Sequence, residues 1–98
     1  MDRSRAPQLA EGVRWDDCPF PEEAEQQGLD SGTVLLRVEV APDGAVRSVK
    51  VVSASDGGFA REATRCARTK HWLPGLDRSA QPAAATALVS VRFQRRQI

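Results

Sequence analysis

The chain is poor in the residues that usually carry chemistry. His71 is its only histidine, so a histidine-based metal site or a Ser-His triad would rest on it alone. It stands beside Trp72 near a helix end, a setting that suits a structural or exposed side chain. A phosphate-binding loop is missing too: SDGGFA, residues 55–60, has neither the lysine nor the spacing of one. Glu22 and Glu23 are adjacent at a helix start, so their side chains diverge and act as dipole partners, not as an acid/base pair. Cys18 and Cys66 lie 48 apart, with no metal-ligand spacing. These absences argue against an enzyme and against any metal or cofactor.

Charge of one sign is also lacking. Fourteen basic and 13 acidic residues leave a net charge of +1, which gives no support to a nucleic-acid or membrane-surface partner. Lysine appears only as Lys50 and Lys70; the other basic residues are arginine, a feature of genome composition. No apolar run approaches the roughly 20 residues that span a bilayer. Met1 to Ala10 is polar and lacks the apolar core of a signal peptide. A cytoplasmic protein and a domain of a longer chain both remain open on composition.

What is present is patterning. Ninety-eight residues with 41% hydrophobic content make one domain at most. Residues 1–12 are polar and read as a flexible tail or linker, and residues 13–98 as the domain. Val13 to Phe20 is a short extended stretch. Pro21 suits a first helical turn, Glu22 and Glu23 favour it, and Gly28 stops it. TVLLRVEV sets Val34, Leu36, Val38 and Val40 against Leu35, Arg37 and Glu39. APDGA supplies turn chemistry and VRSVKVV returns, so Gly32 to Ser53 is a hairpin. Val46 and Ser48 share one parity and Val49 and Val51 the other, the mark of a bulge. Asp56 is placed to cap a second helix, whose inward stripe is Phe59, Ala63, Cys66 and Ala67. Arg61, Arg65 and Arg68 lie on its other faces. Pro74-Gly75 ends this region, and a loop leads to a last strand with Ala87, Val89, Val91 and Phe93 on one side and Leu88, Ser90 and Arg92 on the other.

Hairpin strands are antiparallel, and a sheet with one apolar face needs a cover, for which the two helices are the only candidates. The expected fold is α+β: a two-layer, three-stranded antiparallel sheet, ordered second, first, third, with two helices on one face. Phe59 and Trp72 are expected in the core over Val34, Leu36, Val38 and Val40.

The residues resemble the C-terminal periplasmic domain of TonB-type energy transducers. The pattern starts at PFPEEAEQQGLDSGTV: an aromatic-Pro pair at Phe20-Pro21, then Ala24, Gly28 and Gly32-Thr33-Val34. VEVAPDGAVRSVKVVSAS resembles the family's hairpin and the loop leaving it. The rest is similar to its helix ending in an aromatic, Pro and Gly, followed by a loop and a strand. The resemblance covers about Cys18 to Phe93. Two positions depart from the pattern: Lys70 stands where the family usually has Trp, and Phe20 where it often has Tyr.

The resemblance implies a domain in the periplasm, belonging to a protein anchored in the inner membrane. The implied partners are an N-terminal segment of an outer-membrane transporter, gripped as an added strand, and inner-membrane motor subunits reached through an N-terminal helix. It implies a partner-binding site at Pro19, Phe20 and Pro21 and along Leu88, Val89, Ser90, Val91, Arg92 and Phe93. Phe20 fits a packed anchor and a contact residue equally well. Arg92, Arg95 and Arg96 are solvated or meet an acidic partner segment. A periplasmic location would favour a disulfide between Cys18 and Cys66; the alternative is two buried thiols. A TolA-like domain or another envelope interaction module with the same fold is the second reading, against which the HWLPG helix ending counts.

Overall fold

The computed structural model describes residues 2–15 and 18–95. The elements run β1 (Gln8–Leu9), α1 (Glu22–Gln26), β2 (Ser31–Val40), β3 (Val46–Ala54), α2 (Phe59–Thr69), β4 (Trp72–Leu73), β5 (Gly75–Leu76), β6 (Pro82–Ala83) and β7 (Ala85–Gln94). β2 is the centre. Its even positions, Gly32 to Val40, are buried and its odd positions are exposed or half-buried, because successive side chains of a strand point to opposite faces. β3 and β7 both pair antiparallel with β2, in the order β3-β2-β7, as the hairpin and the last strand predicted.

Main-chain bonds close the β2–β3 turn: Ala41 N–H to Ala45 O at 2.8 Å and Gly44 N–H to Ala41 O at 2.9 Å. Gly44 has φ +89°, and a Cβ there would sit 2.7 Å from the Trp72 carbonyl oxygen. Both the backbone conformation and the close approach call for glycine. β3 shifts register twice against β2, once where Val52 is skipped and once where Arg47 is skipped. The two bulges explain the change of parity: Val46, Val49 and Val51 all share the side of β2's buried positions.

Both helices cover that side. α1 contributes Ala24, and Gly28 with φ +73° ends it. α2 buries Phe59, Ala63, Cys66 and Ala67, one stripe at helical spacing. Ala24, Phe59, Ala63 and Ala67 form one core with Val34, Leu36, Val38, Val40, Trp72, Val91 and Phe93. Phe59 lies against Gly32, where any Cβ would collide with its ring. Trp72 seals the end of α2: it is 6% exposed and its Nε1–H donates to the Ala67 carbonyl at 3.1 Å. The α+β fold with both helices on one face is therefore the one expected.

Three expectations need correction. Asp56 does not cap α2, because the left-handed Gly57 and Gly58 intervene and Gly58 is the cap residue, with no side-chain bond. The stretch before α1 is turned, not extended, with Val13 N–H bonded to Ala10 O and Cys18 N–H to Trp15 O, each 3.0 Å. Residues 3–10, read as part of a tail, run antiparallel to residues 71–78. Arg3 N–H donates to Arg78 O at 3.2 Å, Arg5 and Leu76 exchange bonds of 3.0 and 2.8 Å, β1 pairs with β4, and Ala10 N–H reaches His71 O at 2.9 Å. Main-chain pairing needs no apolar pattern, so polar composition concealed it. The loop before the last strand is likewise a small hairpin, β5 with β6, closed around Asp77, whose carboxylate accepts from the Ser79 and Gln81 amides.

Candidate partner-binding edge

The site begins with which way each main-chain group of β7 points. Arg95 N–H donates to Asp30 O at 2.9 Å, in the same register as the ladder from Ser31↔Gln94 to Val40↔Ala85. Antiparallel pairs alternate between bonded and non-bonded. Stepping by two from Arg95 puts the N–H and C=O groups of Phe93, Val91, Val89, Ala87 and Ala85 on β2. Those of Gln94, Arg92, Ser90, Leu88 and Thr86 point outward. Thr33 O accepts from Ser55 N–H on the other side of β2, which agrees: odd residues of β2 bond β3 and even residues bond β7. β7 is terminal in the sheet, so among the described residues the outward groups of Thr86, Leu88, Ser90, Arg92 and Gln94 form an unpaired row along the ten-residue strand.

Side chains follow the same order. Ala87, Val91 and Phe93 are buried and Val89 half-buried under the helices. Leu88, Ser90 and Arg92 are exposed on the open face; Leu88 is 62% exposed, the largest value among the exposed large hydrophobic residues. The opposite edge, β3, differs in kind. Its two bulges interrupt its row of donors and acceptors, and bulges are a standard means of blunting an edge strand. Beside it, between β3 and α2, lies an open groove of about 470 Å³ over Val51.

The Pro19–Pro21 segment reaches β7 indirectly. Pro19 is exposed, Phe20 half-buried and Pro21 buried. The Phe20 ring meets Phe59 edge-to-face at 5.4 Å, and Phe59 meets Phe93 at 5.4 Å, tilted by 43°. Phe20 is thus joined through Phe59 to the Phe93 end of β7, and not to Leu88. Such aromatic pairs prefer this offset geometry. Phe20 is a packed anchor with part of its surface open.

Cys18 and Cys66 are joined by a disulfide, their Cα atoms 6.0 Å apart. Of the C-terminal arginines, Arg92 is exposed and opposite Thr33. Arg95 pairs with Asp30 at 2.9 Å, and Arg96 lies outside the described residues. Trp15 was given no role by its sequence context. It packs edge-on to Trp72 at 6.1 Å with the Lys70 ammonium 5.9 Å over its ring. A tryptophan in a polar stretch was the only signal for it.

No helix among the described residues is long and apolar enough to cross a membrane. No curated protein matches the chain significantly. The family described as Gram-negative bacterial TonB protein C-terminal does match, over residues 17–94. That span takes in the sheet, both helices and the disulfide, and the chain belongs to this family of periplasmic TonB-type domains.

Proposed function

We propose that this domain binds outer-membrane transporters by adding one of their N-terminal segments as a strand to the outer edge of β7. It thereby passes on the proton-motive energy of the inner membrane. The full protein is anchored in that membrane by an N-terminal helix that also meets the motor subunits. The observation that carries the reading is the contrast between the two edges: β7 offers ten residues without interruption, and β3 is broken twice. An added strand needs an unbroken ladder, since its affinity comes from main-chain bonds. Backbone pairing tolerates sequence variation, so one domain can serve several transporters. Family membership supports the same reading, and Pro19, Phe20 and Pro21 would flank the Phe93 end of the bound segment.

The test follows backbone amide shifts while a peptide copying a transporter's N-terminal segment is added. Shifts should concentrate on Thr86, Leu88, Ser90, Arg92 and Gln94, with smaller ones at Phe20 and Phe93. Shifts that gather on β3 or the helices and spare residues 88–93 overturn the reading.

A further inference from the structure

We infer that the Cys18–Cys66 bridge positions the peptide-binding flank; the inference rests on the strand-addition reading and adds a residue role to it. α2 holds the segment before α1 at two points. Cys66 takes Cys18 through the disulfide, and Phe59 takes Phe20 through ring packing. Positions 59 and 66 are about 10 Å apart along a helix axis. Cys18 and Phe20 are at most about 7 Å apart along the chain. The segment between the two anchors therefore follows the helix with little slack.

Two prolines remove what freedom is left. Pro19 and Pro21 fix their own φ, and each restricts the residue before it. Pro21 is buried at the start of α1. Cys18 is thus the outer anchor of a short, stiff segment, with exposed Pro19 and half-exposed Phe20 held at the Phe93 end of β7. With the bridge opened, the Cys18 end loses its covalent tie to α2. A bound peptide must then order the flank as it binds. Ordering one residue costs about a factor of ten in affinity.

The experiment measures the Kd and dissociation rate of a synthetic transporter N-terminal peptide for the oxidised protein and for a variant with both Cys18→Ser and Cys66→Ala. A parallel sample is reduced with dithiothreitol, which gives two electrons and two protons to the disulfide, leaving two thiols and the cyclic oxidised reductant. Kd should rise about tenfold, mainly through faster dissociation, while β2 amide shifts stay in place. A fold-destabilising change across the sheet, Val46→Ala, should leave Kd unmoved, which separates positioning from general stability. Phe20→Ala with the bridge intact should weaken binding by a similar factor, and opening the bridge in that variant should add little, since the two anchors act on one segment. If opening the bridge unfolds the domain, Phe20→Ala with the bridge intact carries the test alone, and an unchanged Kd there overturns the inference. Equal affinity with and without the bridge, or additive losses from the two changes, overturns the inference. Failure of the oxidised wild-type protein to bind overturns the strand-addition reading itself.

Discussion

Trp72 does two things at one position. Its ring closes the core at the end of α2, and its indole N–H donates to the Ala67 carbonyl, a helix-end acceptor that also takes a longer 3.4 Å bond from the Lys70 N–H. Trp72→Ala should cost about 3–5 kcal/mol, as for other buried large aromatics. Trp72→Phe should recover most of the packing and lose about 1 kcal/mol for the missing bond. Denaturant melts of both variants measure the difference, and an Ala variant within about 1 kcal/mol of wild type would show that the ring is not part of the core. Gly32 is the counterpart on β2: Gly32→Ala drives a methyl into the Phe59 ring, and core overpacking of this kind costs about 1–3 kcal/mol. Phe59 and Trp72 were readable in the sequence because each continues an apolar period. Trp15 was not, because its contacts with Trp72 and Lys70 come from a turned segment without periodicity.

At the scale of elements, β7 separates two kinds of main-chain donor that the sequence could not tell apart. Alternation placed Val89 inward and Ser90 outward as side chains, but the direction of an N–H follows from the register with β2. The Arg95–Asp30 bond fixes it. Proline lacks the donor and is tolerated only where that donor faces away from the ladder. Ser90→Pro should leave the domain folded and abolish peptide binding. Val89→Pro removes a bond to Leu36 and should unfold it, since proline cannot sit inside the ladder. Thermal melts and peptide titrations of the pair decide this; loss of fold in Ser90→Pro with Val89→Pro intact reverses the assignment of the edge. The long elements β2, β3, α2 and β7 were legible because burial on one face imposes a period. The two-residue strands β1, β4, β5 and β6 were not, because pairings this short are held by main-chain bonds and local turn chemistry such as the Asp77 carboxylate. The bulge near Arg47 left its trace in the valine parity, whereas the one at Val52 left none.

For the whole molecule, the disulfide outweighs the ion pairs. A bridge with a sequence separation of 48 is worth about 4 kcal/mol on the chain-entropy model. Its removal should lower Tm by about 20 °C in a domain of this size, and intact-mass measurement without reductant should show two hydrogens fewer than the reduced chain. The pairs Arg61–Glu23, Arg65–Glu62 and Arg95–Asp30 are all on the surface. Glu23 raises the Arg61 pKa by hydrogen bonding and charge, but solvent screening leaves such an exposed pair little weight in stability. Stability should therefore change little between 0.05 and about 1 M salt, although such screening shortens the Debye length to about 3 Å; a large loss would mean the pairs act as a network. The molecule is elongated, 49 Å by 25 Å by 21 Å, with a radius of gyration of 14.9 Å against about 13 Å for a compact chain of this length. The two edges of its sheet also set a stoichiometry. A sheet with equal edges could be lengthened on either side, and linked copies could polymerise. Here the bulged strand blunts one direction of growth, so on the strand-addition reading proposed above each domain takes a single guest strand, and titration should saturate at one peptide per chain.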